Sequence, residues 1–163
     1  MFRKKRINFS LNFYLILLSL LLISSFGNAH EVRVKDLTVY HPSLFIETEG
    51  IGEGLFSVSN EGLKSDHIVG FFSEFSEIVE LHEFNERTKT FEEIGISQKG
   101  YLDLTLDPIE IAPEEGVIFD SLHYLLIFRE IDKNLNWFDD HKAVIFFKKS
   151  GQYVIEFEVE KDE

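Results

Sequence analysis

Two short stretches decide the fold of this chain, Glu77-Ile-Val-Glu-Leu-His-Glu-Phe84 and Ser121-Leu-His-Tyr-Leu-Leu-Ile-Phe128. Each is rich in residues that favour strands, and each carries one histidine. Side chains two positions apart on a strand share a face, so His82 is expected to lie beside Phe84. The same spacing gives His123 an apolar neighbour. The sequence therefore predicts two partner strands that each present an imidazole beside an apolar side chain.

Strand-length runs recur between turn signals along the rest of the chain, and no long segment has helical periodicity. The polar segment 132–140 carries the sole Trp137. The pattern predicts a small antiparallel β-sandwich in one domain, with many of the 17 Phe in its core. The predicted strands are 32–40 with a bulge near Lys35-Asp36, then 44–48, 55–59, 66–72, 77–84, 88–94, 101–106, 109–111, 117–119, 121–128, 143–148 and 152–160.

The first 29 residues have the three zones of a secretory signal. Residues 3–6 are all basic, residues 13–23 are almost wholly apolar, and Gly27-Asn28-Ala29 offers small residues for cleavage. The apolar run is short for a membrane span of about 20 residues, so we expect cleavage rather than an uncleaved anchor. Residues 30–163 would then be the mature domain, periplasmic or secreted and without a stable membrane span.

The mature domain is expected to be strongly acidic. The chain has 16 Lys and Arg against 29 Asp and Glu, and four of the basic residues lie in the predicted signal. Residues 30–163 therefore carry 12 basic and 29 acidic side chains, a net charge of −17 with His neutral. Such a field opposes binding to nucleic acid and attracts cations or a basic partner surface. The alternative is that the charge only keeps the protein soluble.

The mature domain would contain no sulfur, because the chain has no Cys and its one Met is Met1. This excludes disulfides, thiolate metal sites and thiol nucleophiles. The sequence also has no Gly-rich phosphate loop, nucleophile elbow or metal-hydrolase motif. Acidic pairs such as Glu114-Glu115 and Asp139-Asp140 are typical of solvated turns in so acidic a chain. We therefore expect no enzymatic activity.

Short motifs follow one another along essentially the whole mature chain, and they are Val34-Lys-Asp36 followed by His41-Pro42, Gly52-Glu-Gly-Leu-Phe-Ser-Val-Ser-Asn60, Asp66-His-Ile-Val-Gly70, Val79-Glu-Leu-His-Glu83, Ile109-Glu-Ile111 and Lys149-Ser-Gly151. In this order the motifs resemble those of the periplasmic copper chaperone family PCu(A)C. The resemblance implies a cupredoxin-like Greek-key β-sandwich, which agrees with the strand pattern. It also implies a copper carrier that delivers to a respiratory oxidase subunit or to another copper carrier, and we expect a monomer.

The departures from the family lie in the metal ligands. The family has His-any-Met on each of two strands and a further Met between them. His82 and His123 match the two histidines, but Phe84 and Leu125 stand where the paired methionines would be. The intervening Met would fall near residues 91–93, which include no thioether. Because Cu(I) prefers soft sulfur ligands, the family's Cu(I) site cannot form here.

Two interpretations of the histidines remain open. In the first, His82 and His123 meet and bind Cu(II) or Zn(II), with a carboxylate from Glu80, Glu83 or Glu93 as a hard ligand. In the second, the histidines are relics held by hydrogen bonds. The chain would then be a periplasmic interaction module that keeps the fold without binding metal.

The remaining histidines carry weaker signals. Cleavage after Ala29 would make His30 the first residue, and its free amine and imidazole could then chelate one Cu(II). An ordinary polar N-terminus is the alternative. His41, His67 and His141 lie in turn or strand-edge contexts and are predicted to be plain surface residues.

Overall fold

The computed structural model describes residues 31–48, 50–97, 99–132 and 141–160. Over these ranges the chain is all β, as predicted, and the described residues include no helix that is long and apolar enough to cross a membrane. The predicted signal, His30 and Trp137 lie outside the described residues. The strands are β1 Glu31–Val34, β2 Leu37–Thr48, β3 Ile51–Asn60, β4 Asp66–Ser73, β5 Ser76–Asn85, β6 Thr90–Ile96, β7 Tyr101–Asp103, β8 Ile109–Ile111, β9 Gly116–Phe119, β10 Tyr124–Ile131, β11 His141–Phe147 and β12 Gly151–Glu160.

The strands form two layers that belong to one continuous sheet. One layer contains β6, β5, β10, β3 and β2, with β1 beside β2 and β9 beside β3. The other contains β12, β11 and β4, with β7 and β8 beside β4. Residues 151–157 of β12 pair with β11, and residues 158–160 pair with β2, so β12 joins the layers. The pairings of β12 with β2 and of β9 with β10 are parallel, which makes the sheet mixed.

Residues 32–40 form a hairpin rather than the single bulged strand that the sequence predicts. β1 and β2 pair antiparallel along the whole of β1, and Lys35-Asp36 is the two-residue turn between them. Lys35 has a φ of 52°, a left-handed conformation that tight hairpin turns use. β2 then continues through His41-Pro42 with a register shift against β3, so the predicted strand 44–48 is its second half.

The core between the layers contains a cluster of phenylalanines among aliphatic side chains. Phe157 lies at its centre, with ring centroids 6.0, 6.3 and 5.5 Å from those of Phe56, Phe75 and Phe128. Along β12, Ile155 and Phe157 are buried while Glu158 and Glu160 are exposed, as expected of a strand with one buried face. Polar side chains therefore lie on the outer faces of the layers.

Candidate metal site

The two histidine-bearing stretches lie side by side, as predicted. β5 and β10 pair antiparallel, and His82 is directly opposite Leu125. His123 lies just before β10, where its carbonyl accepts a 2.8 Å hydrogen bond from the backbone N–H of Phe84. His82 therefore lies opposite Leu125, and His123 lies opposite Phe84.

A bulge on the other side of β5 adds a carboxylate to this surface. Leu81 is fully buried in the core, so its neighbours Glu80 and His82 lie on the outer face of the layer. The register between β5 and β6 shifts at this point, and His82 pairs with Glu93. The extra residue, Ile94, packs against the core. The bulge thereby places Glu93 beside His82 on the outer face.

Glu80, His82 and Glu93 form a group whose ligand atoms converge. One ligand atom from each of them lies within 4.8 Å of the other two, and this is the only such group of three within the ranges described above. The Nε2 atom of His82 is 3.2 Å from Oε2 of Glu80. The other oxygen of Glu80, Oε1, accepts a 2.7 Å hydrogen bond from Nε of Arg129. The carboxylate of Glu80 is thus fixed between an imidazole and a guanidinium.

Glu80 is a buried acid, with 7% of its surface exposed. Burial alone would raise the pKa of Glu80, because it disfavours the charged form. Hydrogen bonds from Arg129 and His82, together with the positive charge of Arg129, outweigh burial and hold the pKa of Glu80 below its usual value. Glu80 is therefore ionised at neutral pH and able to act as a metal ligand.

His123 has a different partner and is not a member of this group. Its Nδ1 lies 2.9 Å from Oδ1 of Asp120, which also accepts the backbone N–H groups of Leu122 and His123. Burial would raise the pKa of Asp120, but these hydrogen bonds lower it below the usual value. The side chain of His123 is 53% exposed. The predicted meeting of the two imidazoles stays a prediction.

The third carboxylate considered from the sequence, Glu83, lies away from the group. It accepts a 3.3 Å hydrogen bond from the hydroxyl of Tyr124, the residue opposite it on β10. Burial raises the pKa of Tyr124, and the negative charge of Glu83 adds to the effect. Glu83 follows His82 directly, so the alternation of the strand turns it to the opposite face.

Apolar side chains fill the positions at which the resembled family has methionine. Phe84 pairs with Phe91 across β5 and β6, and their rings meet edge to face with centroids 5.3 Å apart. Leu125, opposite His82, is only 8% exposed. The donors at hand are one imidazole and two carboxylates, which suit Cu(II) or Zn(II) and do not suit Cu(I).

The prediction that His141 is a plain surface residue is wrong. His141 begins β11, is buried, and has its ring 5.7 Å from that of Phe75. The signal was present in the sequence, because the alternation of β11 puts His141 on the same face as Ala143 and Ile145, which are also buried. His67 is half-buried and His41 is exposed.

Several solved structures have the same architecture. The copper-bound PCuAC domain from PmoF2 matches with a TM-score of 0.61 and 21% identity, over 82% of this chain and 99% of that one. The apo form of that domain gives 0.61 and 20% identity, over 81% and 95%. The apo PCuAC domain from PmoF1 gives 0.63 and 18% identity, over 82% and 100%. The chain has the PCuAC fold. No protein-family model and no curated protein matches the sequence.

Arg129 contacts Glu80 in this site, and the sequence pattern did not indicate this role. Arg129 lies on β10 opposite Ile78, and Glu80 lies opposite Ile127. Arg129 is therefore the diagonal neighbour of Glu80 across the two strands. The period of two along β10 places Arg129 on the same outer face as Leu125. The residue was overlooked because it lies outside the predicted strand 121–128, whereas β10 extends to Ile131.

Proposed function

We propose that this protein is an exported, copper-chaperone-like carrier that binds Cu(II) on the outer face of β5 with His82 as the central ligand. The observation that carries the proposal is the convergence of His82 with Glu80 and Glu93, whose ligand atoms lie within 4.8 Å of one another. The fold is shared with a PCuAC domain that has been solved with copper bound. Imidazole and carboxylate ligands favour Cu(II) over Cu(I).

In this proposal the protein is periplasmic or secreted and passes copper to an oxidase subunit or to another carrier. Support comes from the signal-like first 29 residues and from the formal net charge of −13 for the whole chain, which attracts cations. The side chains of His82 and Glu93 reach solvent, so a partner could approach a bound ion directly. The carrier performs no catalytic step.

A Cu(II) titration of the exported protein, with its N-terminus identified by mass spectrometry, tests this proposal. His82→Ala removes the only imidazole of the converging group, so we expect the affinity to fall at least about tenfold, or about 1.4 kcal/mol. His67→Ala is the matched control and should bind as the parent does. Blocking the terminal amine removes any contribution from His30. Parent-like binding by His82→Ala would contradict the proposal.

A second candidate function is an interaction module that binds no metal. It is favoured by the way the polar groups already satisfy one another, since Glu80 is held by Arg129 and His82 while His123 is held by Asp120. In that case the His82→Ala/His123→Ala double variant should match the parent in titrations with both Cu(II) and Zn(II).

A further inference from the structure

We propose that Glu80, His82 and Glu93 form a three-ligand site for a divalent cation, which binds Zn(II) as well as Cu(II) and leaves a fourth position open to water. The inference rests on the proposed function and specifies its site. Two carboxylates, rather than a second histidine, complete the coordination of His82.

The separation of the ligand atoms fits a small cation. Bonds of about 2.0–2.2 Å in tetrahedral geometry put neighbouring ligand atoms about 3.3–3.6 Å apart. Nε2 of His82 and Oε2 of Glu80 are already 3.2 Å apart. The carboxylate of Glu93 lies within 4.8 Å of both, on an exposed side chain that can turn inward. A cation would replace the hydrogen bond between Nε2 of His82 and Oε2 of Glu80.

Arg129 prepares Glu80 for this role. Its Nε donates to Oε1 and leaves Oε2 facing the imidazole, so Glu80 offers a single oxygen in a fixed direction. A buried carboxylate without a cationic partner would be costly, and the guanidinium supplies that partner when no metal is bound. Arg129 is therefore a positioning residue that holds one ligand in place.

The charge and the neighbouring strand select the kind of ion. The carboxylates of Glu80 and Glu93 carry two negative charges, and Arg129 balances one of them, which leaves an excess that attracts a divalent cation. Leu125 lies opposite His82 on β10, so that strand supplies no ligand at this register. The fourth position therefore falls on the solvent side, where a water can occupy it.

Zn(II) titration by calorimetry tests the site. Zn(II) is the probe because a terminal His30 amine and imidazole would form a tetragonal chelate that suits Cu(II). We expect the parent to bind one Zn(II), and Glu93→Gln to bind it at least about tenfold more weakly. Glu92→Gln makes the same charge change one residue away on β6 and should stay within about twofold of the parent, as should His123→Ala.

The outcomes separate this inference from the proposed function. Equal affinities of Glu93→Gln and Glu92→Gln, or no Zn(II) binding by the parent, would overturn the inference. A loss in His123→Ala and His82→Ala with Glu93→Gln unchanged would overturn it too, while retaining a two-histidine carrier. Zn(II) and Cu(II) binding that is unaffected in every variant, His82→Ala included, would overturn both. Melting curves of each variant verify that the fold is intact.

Discussion

Two acidic side chains of the described ranges are buried, Glu80 and Asp66, and each is held by its own set of donors. The carboxylate of Glu80 is held by two side chains, those of Arg129 and His82. Asp66 instead accepts backbone N–H groups at 2.8–2.9 Å from His67, Lys149 and Ser150. Asp66 therefore fastens β4 to the turn between β11 and β12, and its role is structural.

Asp66 should make the stability of the protein depend on pH. Burial would raise the pKa of Asp66, but hydrogen bonds from Ser150, His67 and Lys149 outweigh it and lower the pKa. The folded state thus takes up the proton less readily than the unfolded state. The stabilisation is complete above the unfolded pKa of about 3.9 and is lost as pH falls through the lowered folded value.

We expect Asp66→Asn to lower the free energy of unfolding at pH 7 by about 1–3 kcal/mol, because buried N–H donors lose a charged acceptor. The variant should also lose less stability than the parent as the pH falls below about 4. Urea unfolding across this range measures both effects, with Asp107→Asn on an exposed loop as the control. Identical pH profiles for the parent and Asp66→Asn would contradict the assignment.

At the scale of elements, the pairing of β5 with β10 determines which side chains can bind the same metal ion. The register sets His82 against Leu125 and the carbonyl of His123 against the N–H of Phe84. Each histidine therefore has an apolar residue opposite it on the neighbouring strand. Donor atoms at positions 84 and 125 would flank His82, one from its own strand and one from the opposite strand.

This arrangement predicts that Cu(I) binding can be introduced. The parent should bind Cu(I) weakly, since its described part offers no sulfur. Phe84→Met/Leu125→Met places two thioethers next to His82 and should raise the Cu(I) affinity at least about tenfold. Competition with a Cu(I) chelator under reducing conditions measures it. Leu63→Met/Val154→Met adds the same sulfur at exposed positions and should change nothing; an equal gain in that control would point to unspecific binding.

The strands were largely predictable from the sequence, whereas the site was predictable only in part. Runs of strand-favouring residues between turn signals identified β5, β10 and β12. The hairpin turn at Lys35-Asp36 was mistaken for a bulge because the apolar period shifts by one residue there, from Val32 and Val34 to Leu37 and Val39, and a bulge produces the same shift. Glu93 was only one of three carboxylate candidates, since the bulge that selects it depends on how β6 pairs with β5. Arg129 escaped because the strand end was misplaced by three residues.

At the scale of the whole molecule, stability must come from the core, because the chain has no Cys and so no disulfide. Phe157 lies on β12, the strand that joins the two layers, and its ring contacts those of Phe56, Phe75 and Phe128. The contact partners come from β3, from the connection between β4 and β5, and from β10. The side chain thus links distant parts of the chain.

Phe157→Ala should lower the free energy of unfolding by about 3–5 kcal/mol, the usual cost of removing a buried phenyl ring and leaving a cavity. Val154→Ala on the same strand is the control; its side chain is 52% exposed, and the change should stay within about 0.5 kcal/mol. Denaturant unfolding of both variants measures the difference. Comparable losses for the two would show that the core does not depend on this ring.

The parallel pairing of β12 with β2 also has a consequence for how quickly the protein acquires its shape. Ser43 and Glu158 are neighbours in the sheet although most of the domain separates them along the chain. Joining such distant segments costs loop-closure entropy before any contact rewards it, and proteins rich in such pairings fold slowly. Until β12 arrives, the edge of β2 is open to pairing with another chain. A molecule in which β12 has not yet paired is therefore the state most exposed to aggregation.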